Sequence, residues 1–341
     1  MDWTSKYPNC SKEEFKYSVF AQAYSAILIL GFIGNTVALY VFVKLTRRKT
    51  ASTVFMINLA VSDLFFTLTL PYRIIYYVQR EWRLGSFLCR ITTYAFYVNL
   101  YSSIFFLTAL SVFRYISILH PIWARSMVTV RRSLWVTLGI WLFIGLVSVP
   151  FLLISSKCVN GTCRCFEPSN VSWSQIQRMN HFGFVVGFLL PFLTILVCYT
   201  RILQRLMGSA GTVRVNARSR RKSTSMIIIV LTSFLFCFLP YHVVRTVHLH
   251  TMTDGVCQAT VWFVQRAVVV TICLAAANSC LNPVLYYFVG ENFQSTLKTS
   301  TILRSRSASS GSVVFVDHSP ATVPPSSNEQ DRLSGPRHVQ K

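Results

Sequence analysis

The sequence predicts an all-α membrane protein, a seven-transmembrane helix bundle with a short helix lying on the cytoplasmic surface. Three observations lead there. The chain is 52% hydrophobic with only 13% charged residues and a mean hydropathy of +0.47, where a soluble domain carries roughly 25% charged residues. Seven apolar runs stand at about 18–44, 53–78, 87–119, 133–154, 180–206, 224–249 and 260–288, each long enough for the roughly 20 residues that cross a bilayer. Alternating apolar–polar segments are missing, and in lipid only helices or closed barrels satisfy the backbone, so the spans are helices.

Residues 1–17 form an N-terminal segment expected outside the cell, 18–288 the membrane domain, 289–298 the surface helix and 299–341 a tail. The start, MDWTSKYPNCSKEEFKY, has no basic-then-apolar leader, so the first span is expected to act as its own insertion signal. Pro71, Pro150, Pro191, Pro240 and Pro283 lie inside five of the runs. Each should kink its helix and free a carbonyl for another partner. Gly290-Glu291-Asn292-Phe293 with Leu297 opens the surface helix. The Ser-, Pro- and Arg-rich tail is expected to be disordered, with hydroxyls open to kinases.

A net charge of +22 could suggest nucleic acid, but its placement argues otherwise. With the N-terminus outside, 21 of the 33 Lys and Arg fall on the cytoplasmic side. They cluster at Lys44, Arg47, Arg48 and Lys49, at Arg125, Arg131 and Arg132, and between Arg201 and Lys222. Basic loops are retained inside and face anionic lipid. The outer segments also carry twelve Lys and Arg against six Asp and Glu, a cationic mouth that would concentrate anions.

Six of the ten cysteines (Cys10, Cys89, Cys158, Cys163, Cys165 and Cys257) fall in outer segments, an even number in an oxidising place. The other four lie in apolar runs as buried thiols. Asn9, Asn160 and Asn170 open glycosylation sequons, all on the outer side.

The third span carries the densest pattern. Tyr94, Tyr97 and Tyr101 share one face of its outer half, and Asn99 and Ser103 share a face below them. Asp63 is the only carboxylate within an apolar run, and Asn35, Asn99, Ser103, Asn278, Ser279 and Asn282 reach about its depth. An ionisable group in mid-membrane is a functional candidate. This one suits either a small hard cation such as sodium or a protonated, hydrogen-bonded structural acid. No structural metal site, nucleophile–base pair or metal-ligand spacing appears, which argues against an enzyme.

Gly34-Asn35, Leu59-Ala60 with Asp63, Cys89, Phe113-Arg114-Tyr115, Cys237-Phe238-Leu239-Pro240 and Asn282-Pro283 with Tyr286 occur in order along the spans. The chain thereby resembles the rhodopsin-like (class A) G-protein-coupled receptors over 18–297. The resemblance implies a sodium site at Asp63, Asn99, Ser103, Asn278 and Asn282, and an inner switch of Arg114, Tyr115, Tyr199, Phe238 and Tyr286. It implies a Cys89–Cys165 bridge, with Cys163 as the alternative partner; Cys10–Cys257 and Cys158–Cys163 are then the expected remaining pairs. Two positions depart from the family. Phe113 replaces the usual acidic neighbour of Arg114, and Phe238 the usual tryptophan.

A narrower resemblance rests on Tyr97-Val98-Asn99-Leu100-Tyr101, Cys165-Phe166-Glu167-Pro168, Pro240-Tyr241-His242 through His250, and Gly290-Glu291-Asn292-Phe293. These are similar to the cysteinyl leukotriene receptors. Where amine receptors keep an aspartate this chain has Phe96, and where opsins keep a lysine it has Ala276, so amine and retinal ligands fit poorly.

The outer half instead offers cations and phenols. Arg73 follows Pro71; Phe238, Tyr241, Arg245 and His248 make one stripe; Arg266 opens span seven and Lys16 precedes span one. With Tyr97 and Tyr101, these residues (Lys16, Arg73, Tyr241, Arg245 and Arg266) form the expected ligand set, arginines pairing with carboxylates and apolar walls taking an acyl chain. The expectation is a plasma-membrane receptor for an anionic lipid mediator of the cysteinyl leukotriene kind. By the resemblance it couples to a Gq-type G protein and calcium release, with kinases and arrestin at the tail. A receptor for nucleotides or another small carboxylate is the alternative, and a channel or transporter is the alternative from a different class.

Overall fold

A computed structural model of the chain describes residues 14–46, 49–153, 157–159, 162–166, 173–208, 217–251, 258–289 and 293. Among these are seven helices of membrane-crossing length: Glu14–Leu45, Ala51–Gln79, Gly85–Leu119, Val130–Leu153, Ser174–Met207, Ser223–Thr251 and Trp262–Phe288. They are referred to below as spans one to seven. Ile29, Leu30, Trp135, Leu142, Leu146, Val197, Phe236 and Phe263 are exposed, while Asn35, Asp63, Asn99, Asn278 and Asn282 are buried. An apolar exterior around a polar centre is the reverse of a soluble bundle and suits a hydrocarbon solvent. The third span is central, packing on the second, fourth, fifth and seventh.

Several helix ends extend past the apolar runs. Span one begins at Glu14, and the helix leading into span five begins at Trp173. The polar turns before residue 180 carry no hydrophobic signal. Tertiary contacts hold them, since Gln177 Nε2 donates to the Leu249 carbonyl at 3.4 Å and Asn180 Nδ2 to Thr246 Oγ1 at 2.9 Å.

The prolines act in different ways. Span two breaks at Leu68–Thr69 before a new helix, Leu70–Gln79, with Pro71 in its first turn. Two carbonyls at the break each take a backbone and a hydroxyl donor: Leu64 from Leu68 N–H and Thr67 Oγ1 (both 3.0 Å), and Phe66 from Thr69 N–H (2.9 Å) and Thr69 Oγ1 (2.7 Å). Pro191 and Pro240 are preceded by wide π turns, Gly183–Leu189 and Ser233–Phe238, which absorb the clash of a proline ring with the carbonyl four residues earlier. Pro150 lies in a short 3₁₀ segment, Val149–Leu153.

Pro283 does not end its helix, which runs from Gln258 to Val289. Having no N–H, it leaves the Ser279 carbonyl without its helical donor, and Asn35 Nδ2 of span one fills that place at 2.9 Å. Gly34 permits the approach: a Cβ there would stand 2.7 Å from Pro283 Cγ.

Outside the spans, Lys157–Val159 and Thr162–Arg164 pair as an antiparallel hairpin with Cys158 opposite Cys163. Cys158 bridges Cys163, and Cys89 at the top of span three bridges Cys165. Cys10, Cys257, Asn9, Asn160, Asn170, the tail 299–341 and all of 289–298 except Val289 and Phe293 lie outside the described residues. Phe293 itself is buried and packs 5.3 Å from Phe42.

Candidate functional site

The break at Leu68–Thr69 turns the outer half of span two so that Arg73, Tyr76 and Tyr77 are buried. Arg73 is only 4% exposed. Its Nη2 donates to the Thr92 carbonyl at 2.8 Å, and its guanidinium lies 4.2 Å from the Phe166 ring centre, 5.5 Å from Phe96 and 5.8 Å from Tyr24. Its Nε–H has no acceptor, and no ion pair engages it among the described residues. A desolvated cation without a counter-charge is costly to keep, so this arginine is poised for an anion.

Phe96 ties Arg73 to the rest of the expected set. Its ring meets Tyr97 at 5.3 Å and Tyr241 at 6.2 Å. Tyr97 stacks on Phe151 at 3.5 Å, and the Tyr94 hydroxyl donates to the Gly145 carbonyl at 3.1 Å, so this part of the tyrosine stripe faces span four. Tyr101 turns to span five, where Gly183 and Gly187 leave room for its ring; a Cβ at Gly187 would stand 2.5 Å from Cε1. Tyr241 is buried, and the half-buried Arg245 is close enough for its charge to act on Tyr101, Tyr241 and His248.

Lys16 and Arg266 stand apart, at the rim. Arg266 lies over Trp262 at 3.8 Å and Phe15 at 4.6 Å, and Lys16 over Tyr17 at 5.6 Å. The arrangement therefore brings Arg73, Tyr97, Tyr101, Tyr241 and Arg245 around one aromatic shaft. Sequence reasoning missed His242, stacked on Phe188 at 4.8 Å beneath that shaft. It also missed Phe96 as a hub, because a phenylalanine in an apolar run carries no signal of its own.

Below the shaft, Asp63 is fully buried. Asn99 Nδ2 donates to its Oδ1 at 2.9 Å and Asn282 Nδ2 to its Oδ2 at 2.7 Å. Ser62 and Ser102 share a hydrogen bond at 2.6 Å, and Ser279 Oγ donates to Asn99 Oδ1 at 3.4 Å. Ser103 and Asn278 are buried in this layer, but no hydrogen bond joins either to Asp63; Ser103 Oγ and both polar atoms of Asn278 have no hydrogen-bond partner. A carboxylate beside orphaned oxygens is a donor set that fits a small hard cation.

The family model for seven-transmembrane receptors of the rhodopsin family matches residues 34–286. The chain belongs to that family. It is a G-protein-coupled receptor, a multi-pass membrane protein and not an enzyme. Over 323 residues the receptor is 42% identical to cysteinyl leukotriene receptor 1 of Mus musculus, covering 93% of this chain and 90% of that one. It is 43% identical over 297 residues to cysteinyl leukotriene receptor 2 of Homo sapiens, covering 86% and 84%. Lysophosphatidic acid receptor 6 of Gallus gallus is 36% identical over 291 residues, covering 83% and 94%.

At the inner end of the receptor, each expected switch residue meets a different neighbour. Arg114 Nη2 donates to Ser223 Oγ of span six at 3.3 Å, and the Tyr199 and Ser111 hydroxyls share a hydrogen bond at 2.7 Å. Tyr286 is buried edge-on to Phe42 at 5.5 Å, Phe238 edge-on to Phe234 at 5.3 Å, and Tyr115 lies 5.7 Å from His120. Phe113 gives Arg114 no charge partner and instead packs edge-on to Phe55 at 4.9 Å. The Arg114–Ser223 hydrogen bond is a tie between spans three and six at this end. Phe113→Asp is expected to add a charged partner for Arg114 and lower agonist-independent signalling, measured per receptor at the cell surface. Unchanged or raised basal activity in a well-expressed variant would refute this.

Proposed function

We propose that the receptor responds to an anionic lipid mediator of the cysteinyl leukotriene kind. The observation that carries this reading is Arg73, a buried cation with an unused N–H inside an aromatic shaft that also holds Arg245 nearby. Arg73 and Arg245 hold carboxylates of the ligand, Tyr97, Tyr101 and Tyr241 line its path, and the apolar span walls take its acyl chain. Lys16 and Arg266 steer the anion at the mouth. The names of the similar receptors, leukotriene and lysophosphatidic acid alike, point to acidic lipids.

Binding better to the active arrangement shifts a two-state bundle and opens its cytoplasmic end. The Arg114–Ser223 tie is what must part, and Tyr199 and Tyr286 rearrange with it. The protein sits in the plasma membrane with its N-terminus outside, couples to a Gq-type G protein and calcium release, and meets kinases and arrestin at its tail. Sodium held by Asp63, Asn99, Ser103, Asn278 and Asn282 is an allosteric modulator.

The test is a calcium-flux and competition-binding screen in transfected cells with cysteinyl leukotrienes, lysophosphatidic acid, other acidic lipids and nucleotides. Leukotrienes are expected to be most potent. A response to nucleotides alone would replace this reading with the nucleotide-receptor alternative, and a response to lysophosphatidic acid alone would move the ligand to phospholipids.

A further inference from the structure

Phe166 adopts φ 68, in the left-handed region where only Arg80 joins it among the described non-glycine residues. A bulky side chain rarely takes that backbone, and strain of this sort is kept where surrounding contacts over-determine it. Here the contacts are visible. Cys165, the preceding residue, is fully buried and bridged to Cys89. The Phe166 ring meets Tyr76 at 5.6 Å, Trp82 at 5.6 Å and Tyr77 at 6.2 Å. Trp82 is itself pinned, its backbone N–H donating to the Cys163 carbonyl at 2.8 Å and its Nε1 to the Gly85 carbonyl at 2.7 Å. The disulfide and this wall together hold the ring centre 4.2 Å from the Arg73 guanidinium carbon.

A guanidinium receives carboxylates in its plane, through its N–H edges, and receives aromatic rings on its face. A ring centred 4.2 Å from the guanidinium carbon displaces water from Arg73, and a phenyl ring takes no N–H donor from the edge that an anion needs. One edge donor is already used on the Thr92 carbonyl, and the Nε–H remains.

We propose that Phe166 is the cap of the anion site, a positioning residue that keeps Arg73 dry and its free edge presented, and so sets the preference for a carboxylate over a neutral ligand. This rests on the reading that Arg73 holds a ligand carboxylate. Removing the ring admits water to the guanidinium face and screens the ion pair.

The experiment is competition binding on membranes, using a cysteinyl leukotriene as free acid and as its methyl ester, with variants normalised to surface receptor. Phe166→Gly is the chief variant, since glycine takes a positive φ freely and only the ring is lost. It is expected to shrink the acid-over-ester preference about tenfold, from loss of a desolvated cation–π contact and of water exclusion. Phe166→Tyr, which keeps a ring, should retain the preference. In Phe166→Gly, acid affinity should also fall more steeply than in the native receptor as N-methylglucamine chloride is raised, since exposed charges are screened and buried ones much less. Phe166→Ala deletes the ring at the same position and serves the same measurement if the glycine variant is poorly expressed.

Arg73→Ala is run alongside. If it abolishes the preference while Phe166→Gly and Phe166→Ala leave it at the native value, the cap is refuted and the anion site stands. If Arg73→Ala itself leaves the preference intact, the underlying reading has failed.

Discussion

Arg73→Ala is expected to lower affinity for an acidic lipid by tens- to thousands-fold, with a much smaller loss for the same lipid as its methyl ester. The magnitude follows from burial. Arg73 is 4% exposed with three aromatic rings about its guanidinium, and removing one partner of a desolvated charge pair typically costs about 2–5 kcal/mol. Arg245 is half-buried, so Arg245→Ala should show the same selectivity with a smaller shift. Arg73→Lys separates charge from shape: it keeps the cation but loses the planar fork, and affinity should fall between native and alanine. An arginine that only anchored its helix in headgroups would reduce surface yield and shift acid and ester equally. Dose–response curves for both forms, normalised to surface receptor, distinguish the two cases.

The second large effect is expected at Asp63. In the native receptor, replacing an inert cation with sodium should weaken agonist binding, because an ion held more tightly by the inactive arrangement stabilises it. For a site half-filled near 10 mM, sodium at about 150 mM would weaken agonist affinity roughly fifteen-fold. Asp63→Asn keeps the size of the side chain and one acceptor oxygen for the Asn99 and Asn282 donors, which lie at 2.9 and 2.7 Å from separate carboxylate oxygens, but removes the charge. Its agonist affinity should be flat against sodium. Asp63→Leu leaves both amides without their acceptor and should cost surface expression as well, since a buried unsatisfied polar group costs about 1–3 kcal/mol. A native receptor whose agonist affinity ignores sodium, with ionic strength held constant, would show that the polar layer serves structure alone.

Much of this receptor was legible in its residues. Seven apolar runs, too poorly charged for a soluble domain, determine a helical bundle in lipid, because no other open structure satisfies the backbone there. Asp63 announced itself because a carboxylate in an apolar run has no inexpensive explanation, and the joint motif set from Gly34 to Tyr286 placed the chain among receptors.

What only the tertiary structure decided is which side chains meet. The Asn35 amide takes the carbonyl that Pro283 frees, and Ser279, not Ser103 or Asn278, bonds to the Asn99 amide beside Asp63. Arg73 and Arg266 look alike in the sequence as arginines near the outer ends of spans. One is sealed among aromatic rings by a proline break and a disulfide-held loop; the other rests on Trp262 at the rim. Periodicity tells which face of a helix a residue occupies, but not how far the helix is turned or what a distant loop lays over it. Phe166 is the clearest case. Its sequence neighbourhood marks only a cysteine and an aromatic residue, and its place over Arg73 arises from a left-handed backbone that packing and the Cys89–Cys165 bridge impose from outside.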